Sequence, residues 1–130
     1  MSTRANIIIK DAYSTLFFYR HSDGYPDVTL ESLKEFVKLY TDDLIRTDAN
    51  QSAGWLILHG YKEYLDGEPT LKPTDEGFSG WKVGAYEPTG DIHGDIEYLY
   101  TIDLVKRELF YREGFGESIS KSKRSEPIKF

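Results

Sequence analysis

Two short segments of this sequence share one pattern, in which an aspartate follows a histidine two residues later. The segments are His21-Ser22-Asp23 and His93-Gly94-Asp95. On an extended backbone, residues two apart point to the same side. A carboxylate placed in this way can orient an imidazole, raise its basicity or share a metal ion with it. If the two segments meet in space, they form one site with two imidazoles, which could donate hydrogen bonds or act as a general acid and base.

Cationic and aromatic side chains flank the first segment. Arg20 directly precedes His21, and Tyr25 follows Asp23 after a glycine. A guanidinium suits phosphate or carboxylate groups, and a tyrosine ring can stack on a base. The predicted ligand-binding residues are Arg20, His21, Asp23, Tyr25, Tyr86, His93 and Asp95. His21 and His93 are the predicted catalytic residues if the protein is an enzyme.

Simpler roles remain open for these residues. Arg20 could form an ordinary ion pair with an acidic neighbour, since the body of the chain is rich in carboxylates. The aspartates could be turn or cap residues. His59 lies among apolar residues, which favours a packed histidine over a catalytic one. No metal or cofactor is predicted, because the sequence holds none of the usual phosphate-loop, dinucleotide or metalloprotease motifs.

Strand and helix patterns place both His-x-Asp segments in loops. Alternating or β-branched runs predict strands over 4–10 and 15–20, joined by a hairpin loop. Apolar residues at helical spacing predict helices over 30–45 and 51–64, and the second should be the more buried because 53–58 is apolar all round. The remaining predictions are a connector over 68–80, a polar loop over 87–95, and strands over 81–86, 96–103 and 109–112.

This order of elements predicts an α+β fold, in which a five-stranded antiparallel sheet carries both helices on one face. Residues 1–117 form the single predicted domain, and residues 118–130 form a predicted disordered, basic tail. The other face of the sheet would then be rich in aromatic side chains. A monomer rarely leaves such a face exposed, which predicts a homo-oligomer.

Composition excludes several classes of protein. The chain has 130 residues and no cysteine, which rules out disulfides and thiolate chemistry. Its net charge is −6. Residues 118–130 carry four cations and one acid, a charge of +3, so the rest of the chain has a net charge of −9. Such an acidic body argues against nucleic-acid binding. There is no apolar run long enough for a signal peptide or a membrane span, so the predicted location is the cytoplasm and no membrane partner is expected.

Five blocks of the sequence together resemble a family of small proteins carried by bacteriophages and bacterial mobile elements. The blocks cover 2–11, 18–26, 53–57, 82–88 and 93–103, and include the runs FYRHSDGYP and HGDIEYLYTID. The resemblance implies a phage accessory protein, acting in the cytosol of the host cell. It implies no particular reaction. Accessory proteins of this kind often counter host defence, some of them by binding nucleotide signals.

These observations lead to three functional hypotheses. The first is a non-catalytic protein that sequesters an anionic, nucleotide-like small molecule at the residues given above. The second is a small phosphodiesterase or hydrolase that uses His21 and His93 as an acid–base pair. The third is an inhibitor that presents its acidic surface to a basic protein partner.

Overall fold

The sheet is the central element of the fold. The computed structural model describes residues 3–67 and 85–130, and within them six strands form one sheet in the order β3-β2-β1-β4-β5-β6. Two helices, α1 and α2, lie between β2 and β3 in the chain. The α+β prediction is therefore confirmed. The strands are β1 Ala5–Lys10, β2 Thr15–Arg20, β3 Glu87–Thr89, β4 Tyr98–Asp103, β5 Glu108–Glu113 and β6 Ile128–Lys129, and the helices are α1 Thr29–Thr41, α2 Ala49–Gly67 and a 3-10 helix, Gly116–Lys121.

The sheet is mixed, and the prediction of a purely antiparallel, five-stranded sheet was wrong in this respect. β1 pairs antiparallel with β2 but parallel with β4. Ile7 and Ile9 of β1 are completely buried, as expected for a strand with neighbours on both sides. β3 already runs in the direction of β1, since both strands pair antiparallel with β2, and residues 90–97 then carry the chain from β3 to β4 in that same direction.

The first described strand after the helices lies within the predicted polar loop over 87–95. The predicted connector over 68–80 and most of the predicted strand over 81–86 lie outside the described residues. β3 occupies Glu87–Thr89 and pairs with β2 at the edge of the sheet. Pro88 is tolerated there because an edge strand has one side that needs no N–H donor.

Each face of the sheet carries its own apolar cluster. The helix face holds the main core, in which Leu33 and Phe36 of α1 and Leu56 of α2 pack on the strands. The opposite face, called the open face here, holds a smaller cluster built from Tyr19, Ile96, Leu99 and Ile119. The predicted free aromatic face is thus partly covered.

α2 is less buried than its composition suggests. Trp55, Ile57 and Leu58 are 43%, 41% and 56% exposed, so the expectation that α2 is the more buried helix was wrong. Among the described side chains of α2, those of 49–63, a narrow stripe of small residues and Leu56 faces the core, and Gly60 in this stripe lies against Tyr86. The stretch 53–58 is therefore apolar all round but packed on one side only. No described helix has the length and apolar character needed to cross a bilayer.

The end of the chain is ordered where the sequence predicts a disordered tail. Ile119 is completely buried under the open face, and Ile128 pairs with Leu109 of β5. The Lys129 ammonium lies 2.6 Å from Glu108. Two isoleucines within a polar, basic segment are enough to anchor it, because each buries its side chain against a strand that is already formed.

Candidate functional site

The predicted site residues divide between the two faces of the sheet. Side chains alternate along β2, so Phe18 and Arg20 point towards the helices while Phe17 and Tyr19 point to the open face. Residues that are adjacent in sequence are therefore separated by the thickness of the sheet.

On the open face, one tyrosine joins both predicted histidines. The Tyr19 hydroxyl and His21 Nδ1 share a hydrogen bond of 3.0 Å. The Tyr19 ring also stacks on the ring of His93, with centroids 4.0 Å apart and planes 13° from parallel. The two His-x-Asp segments thus meet around Tyr19, although His21 and His93 are 72 positions apart in the sequence. We refer to Tyr19, His21, His93 and the neighbouring Arg4 as the histidine cluster.

His93 is held in place from two directions. Its backbone N–H donates to Asn6 Oδ1 at 2.8 Å, and Asn6 Nδ2 donates in turn to the Phe18 carbonyl. Its Nε2 shares a hydrogen bond of 3.0 Å with the Thr89 hydroxyl. Asn6 is completely buried, so the loop that carries His93 is attached to the interior of the sheet. The imidazole is oriented before any ligand arrives.

The two aspartates take different roles from the one predicted for them. Asp95 Oδ2 accepts a hydrogen bond of 2.6 Å from Arg4 Nη1, so it serves Arg4 and not His93. Asp23 adopts the left-handed backbone region with φ of 57°, and its carbonyl accepts from the Thr29 hydroxyl at the start of α1. Its side chain is exposed.

The environment of Tyr19 affects its acidity. Burial raises the pKa of the Tyr19 hydroxyl, and the negative charges of Asp95 and Glu87 raise it further, while Arg4 acts in the opposite direction. Tyr19 therefore stays a neutral phenol at physiological pH and can donate its hydrogen to His21.

Arg20 and Tyr86 belong to a separate network on the helix face. Arg20 Nη1 and Nη2 donate to the two oxygens of Glu63 at 3.0 and 2.8 Å, and its guanidinium lies 5.1 Å from the centre of the Tyr86 ring. The Tyr86 hydroxyl shares a 2.6 Å hydrogen bond with Ser32. Arg20 is 4% exposed and Tyr86 1% exposed. Neither can contact a ligand at the histidine cluster, so the expectation that Arg20 binds phosphate while Tyr86 stacks does not hold in this structure.

The charges in this network stabilise one another. Burial by itself would lower the pKa of Arg20, but its hydrogen bonds to Glu63 and its proximity to Tyr86 raise it overall. Burial raises the pKa of Tyr86 to about 12. Arg20 therefore stays charged and paired, which is the simpler of the two roles the sequence allows, with a partner on α2.

Tyr25 lies apart from the site. It is 38% exposed, and its carbonyl accepts from Val28 and Thr29 where α1 begins. Within the described residues, no hydrogen bond or ring contact joins it to Tyr19 or His93. The neighbouring Gly24 is required by packing, because a Cβ atom there would lie 2.8 Å from the Thr3 carbonyl oxygen.

The described residues offer no arrangement suited to a metal ion. No group of three or more His, Asp or Glu side chains converges within 3–67 and 85–130. A cavity of about 660 Å³ lies between α1 and α2 and includes Ser32, His59 and Glu63 in its wall. His59 is half-buried and donates from Nε2 to the Ser32 carbonyl at 2.9 Å, so it joins the helices.

The sequence-based list of site residues omits three residues that form or hold the histidine cluster, namely Tyr19, Arg4 and Asn6. Tyr19 and Arg4 have a signal that could have found them, since each occupies the side of its strand opposite the main core. Asn6 is a polar residue in an otherwise apolar strand, which is a sign of a buried hydrogen-bonding role.

Comparison of the chain with protein families, curated proteins and solved structures finds no match in any of the three.

Proposed function

We propose that the protein binds and sequesters an anionic small ligand at the histidine cluster. The observation that supports this proposal is the double contact of Tyr19, which hydrogen-bonds His21 and stacks on His93. Two imidazoles that come from distant loops are thereby fixed at one end of the sheet. A fixed set of donors binds an anion at lower entropic cost than flexible side chains do.

The cluster has donors of the kind that phosphate and carboxylate groups need. An imidazole donates hydrogen bonds and gains a positive charge between pH 5 and 8. Arg4 supplies a guanidinium that is 38% exposed at its side chain, although Asp95 neutralises it. Its Nε is the one buried side-chain nitrogen or oxygen of the described residues that has no hydrogen-bond partner.

Retention of unmodified ligand tests the proposal. The protein is mixed with a panel of nucleotides at pH 6, separated from free ligand and denatured, and the released compounds are chromatographed. We expect one class of phosphate compound to be retained and recovered unchanged. Replacement of His21 or His93 by Ala should each lower the affinity about tenfold or more, as expected for loss of a charged hydrogen bond.

His59 provides the matched control. It is a histidine outside the cluster, and its ring is held by a backbone carbonyl on the helix face. The substitution His59→Ala should leave ligand retention unchanged. Equal losses in all three variants would show that the effect is structural and would contradict a site at Tyr19.

A hydrolase is the second candidate, and the same geometry supports it. Each imidazole has one ring nitrogen held by a hydroxyl, from Tyr19 and Thr89 respectively, as a general acid or base requires. Recovery of a converted compound in the panel experiment would favour this function. If no compound is retained or converted between pH 5 and 8, both proposals fail, and an inhibitor of a basic protein partner becomes the remaining hypothesis.

A further inference from the structure

The strand register arranges the side chains of the open face in rows. Phe17 pairs with Ile8, Ile8 with Thr101, and Thr101 with Phe110. These four side chains form one row that crosses β2, β1, β4 and β5. Because neighbouring strands are about 4.8 Å apart, the row extends roughly 14 Å from one phenylalanine to the other.

This row is the floor of a groove of about 330 Å³. Leu99 extends the apolar floor, Ile92 forms part of one wall, and Ser120 forms part of the other. Ile92 directly precedes His93, whose ring packs on Tyr19, so the groove is a neighbour of the histidine cluster and separate from it. We call this feature the sheet groove.

Arg112 lines the β5 end of the groove, and Arg124 lies beside Arg112. Arg112 and Arg124 are direct partners in an antiparallel bridge, and both guanidiniums lie over the ring of Phe110, at 5.9 and 4.8 Å from its centre. Arg112 also donates to the carbonyl of Ser122. The aromatic ring and the backbone hold the two cations in fixed positions.

These arginines have no carboxylate partner within the described chain. The nearby cations Lys10 and Lys129 are paired with Asp103 and Glu108, at 3.8 and 2.6 Å. Neither Arg112 nor Arg124 forms such a pair with any of the described side chains, which are those of 3–63, 85–115 and 118–130. Like charges directly opposite each other on adjacent strands are destabilising. An anion bound between the two guanidiniums would relieve this repulsion.

We propose that the sheet groove binds a nucleoside polyphosphate or a dinucleotide, with its phosphates at Arg112 and Arg124. The aromatic base lies on the apolar floor near Phe17 and Ile8. The two ends of the groove are about three strand spacings apart, roughly 14 Å, which suits a base joined to a chain of phosphates better than a monophosphate. This site does not depend on the proposed function of the histidine cluster.

Titration of the full chain with a fluorescent ATP analogue tests the site. The double substitution Arg112→Gln/Arg124→Gln should weaken binding at least about tenfold, because it removes two charged contacts to phosphate. The matched control is Lys121→Gln/Lys123→Gln, which removes the same charge from exposed positions in the same terminal segment. This control should change the affinity less than about twofold.

A second variant separates the base from the phosphates. Phe17→Leu should weaken binding of the ATP analogue several-fold and leave binding of inorganic triphosphate unchanged. Amide signals of Ile8, Leu99 and Thr101 should shift on titration with ATP.

Two outcomes would overturn the proposal. One is equal effects of the arginine and lysine double variants. The other is loss of binding in His93→Ala with full binding in the arginine variant, which would place the only nucleotide site at the histidine cluster.

Discussion

The two faces of β2 use the same kinds of side chain in opposite ways. On the helix face, Arg20 is buried and both oxygens of Glu63 accept its hydrogen bonds. On the open face, Arg4 forms a single contact with Asp95, and both side chains remain substantially exposed. A buried pair that loses one member leaves an unpaired charge in a medium of low polarity, whereas an exposed pair can exchange its partner for a ligand. The helix face is therefore suited to hold the fold together, and the open face to bind.

The largest effect expected from this difference concerns Glu63. Glu63→Gln should lower the free energy of unfolding by about 3 kcal/mol, because Arg20 stays buried without a carboxylate. Urea denaturation measures the change. Glu35→Gln, at an exposed position of α1, is the control and should change stability by less than about 0.5 kcal/mol. A small effect at Glu63 would show that water reaches Arg20, and the contrast between the faces would fail.

The next largest expected change in stability comes from alanine substitutions at two glycines of α2. A Cβ atom at Gly60 would lie 3.1 Å from the side chains of Ala85 and Tyr86, while a Cβ atom at Gly54 would meet nothing within 4 Å. Gly60→Ala should lower stability by about 1 kcal/mol through overpacking. Gly54→Ala should raise it by about 0.5–1 kcal/mol because alanine favours the helix. Thermal denaturation of both variants would show opposite shifts, and shifts of the same sign would mean that α2 is not held against Tyr86.

On the open face, substitutions should change binding more than stability. The double variant His21→Gln/His93→Gln should weaken binding of a phosphate ligand at least about tenfold, because it removes both imidazoles of the histidine cluster. Its free energy of unfolding should fall by less than about 1 kcal/mol, since His21 lies at the surface. Calorimetric titration and urea denaturation measure the two effects. Lower stability with unchanged affinity would contradict the assignment of binding to this face.

The smallest expected effect is an acid-dependent loss of stability at Asp11, where the loop after β1 meets the start of α2. Asp11 Oδ1 accepts from the N–H groups of Tyr13 and Ser14, and Oδ2 accepts from that of Ala49 where α2 begins. The hydrogen bond from Ala49, followed by those from Tyr13 and Ser14, lowers the pKa of Asp11 below its ordinary value of 3.8. A lowered pKa in the folded state gives stability that is complete above the unfolded value and is lost as the pH falls through the folded value.

The substitution Asp11→Asn isolates that contribution. It should lower the melting temperature slightly at pH 7 and flatten the decrease of stability below pH 4. Asp43, an exposed residue after α1, provides the control substitution Asp43→Asn. An unchanged acid profile in Asp11→Asn would show that the loop carboxylate does not hold the start of α2.

Local periodicity was sufficient to predict the class of fold and the existence of both helices. Leu33, Phe36, Val37 and Tyr40 recur at helical spacing and are all buried, as the sequence predicts. Asp48 lies just before the predicted second helix, and its side chain accepts from the N–H of Gln51, as a helix cap does. Such signals act over one or two turns, so a single sequence contains them.

The direction of β4 and the face of the sheet on which each site residue lies could be determined only from the tertiary structure. Nothing in the apolar pattern of β1 states that β4 lies beside it in parallel, because an alternating pattern is the same in both directions. The grouping of Arg20 with His21 followed their adjacency in sequence, although the period of two along β2 places Arg20 and Tyr19 on opposite faces. The ion pair with Glu63 joins residues 43 positions apart and could not be read from either segment.

The predicted homo-oligomer is constrained by one residue at the border of the sheet. β3 is only three residues long, and Pro88 at its centre has no N–H to offer a neighbouring strand. Continuous addition of a strand from a second copy along β3 is therefore blocked, a device that also protects β-proteins from fibril growth. Among the described residues, the surfaces left for self-association include the exposed apolar residues of α2 and the opposite border of the sheet at β6.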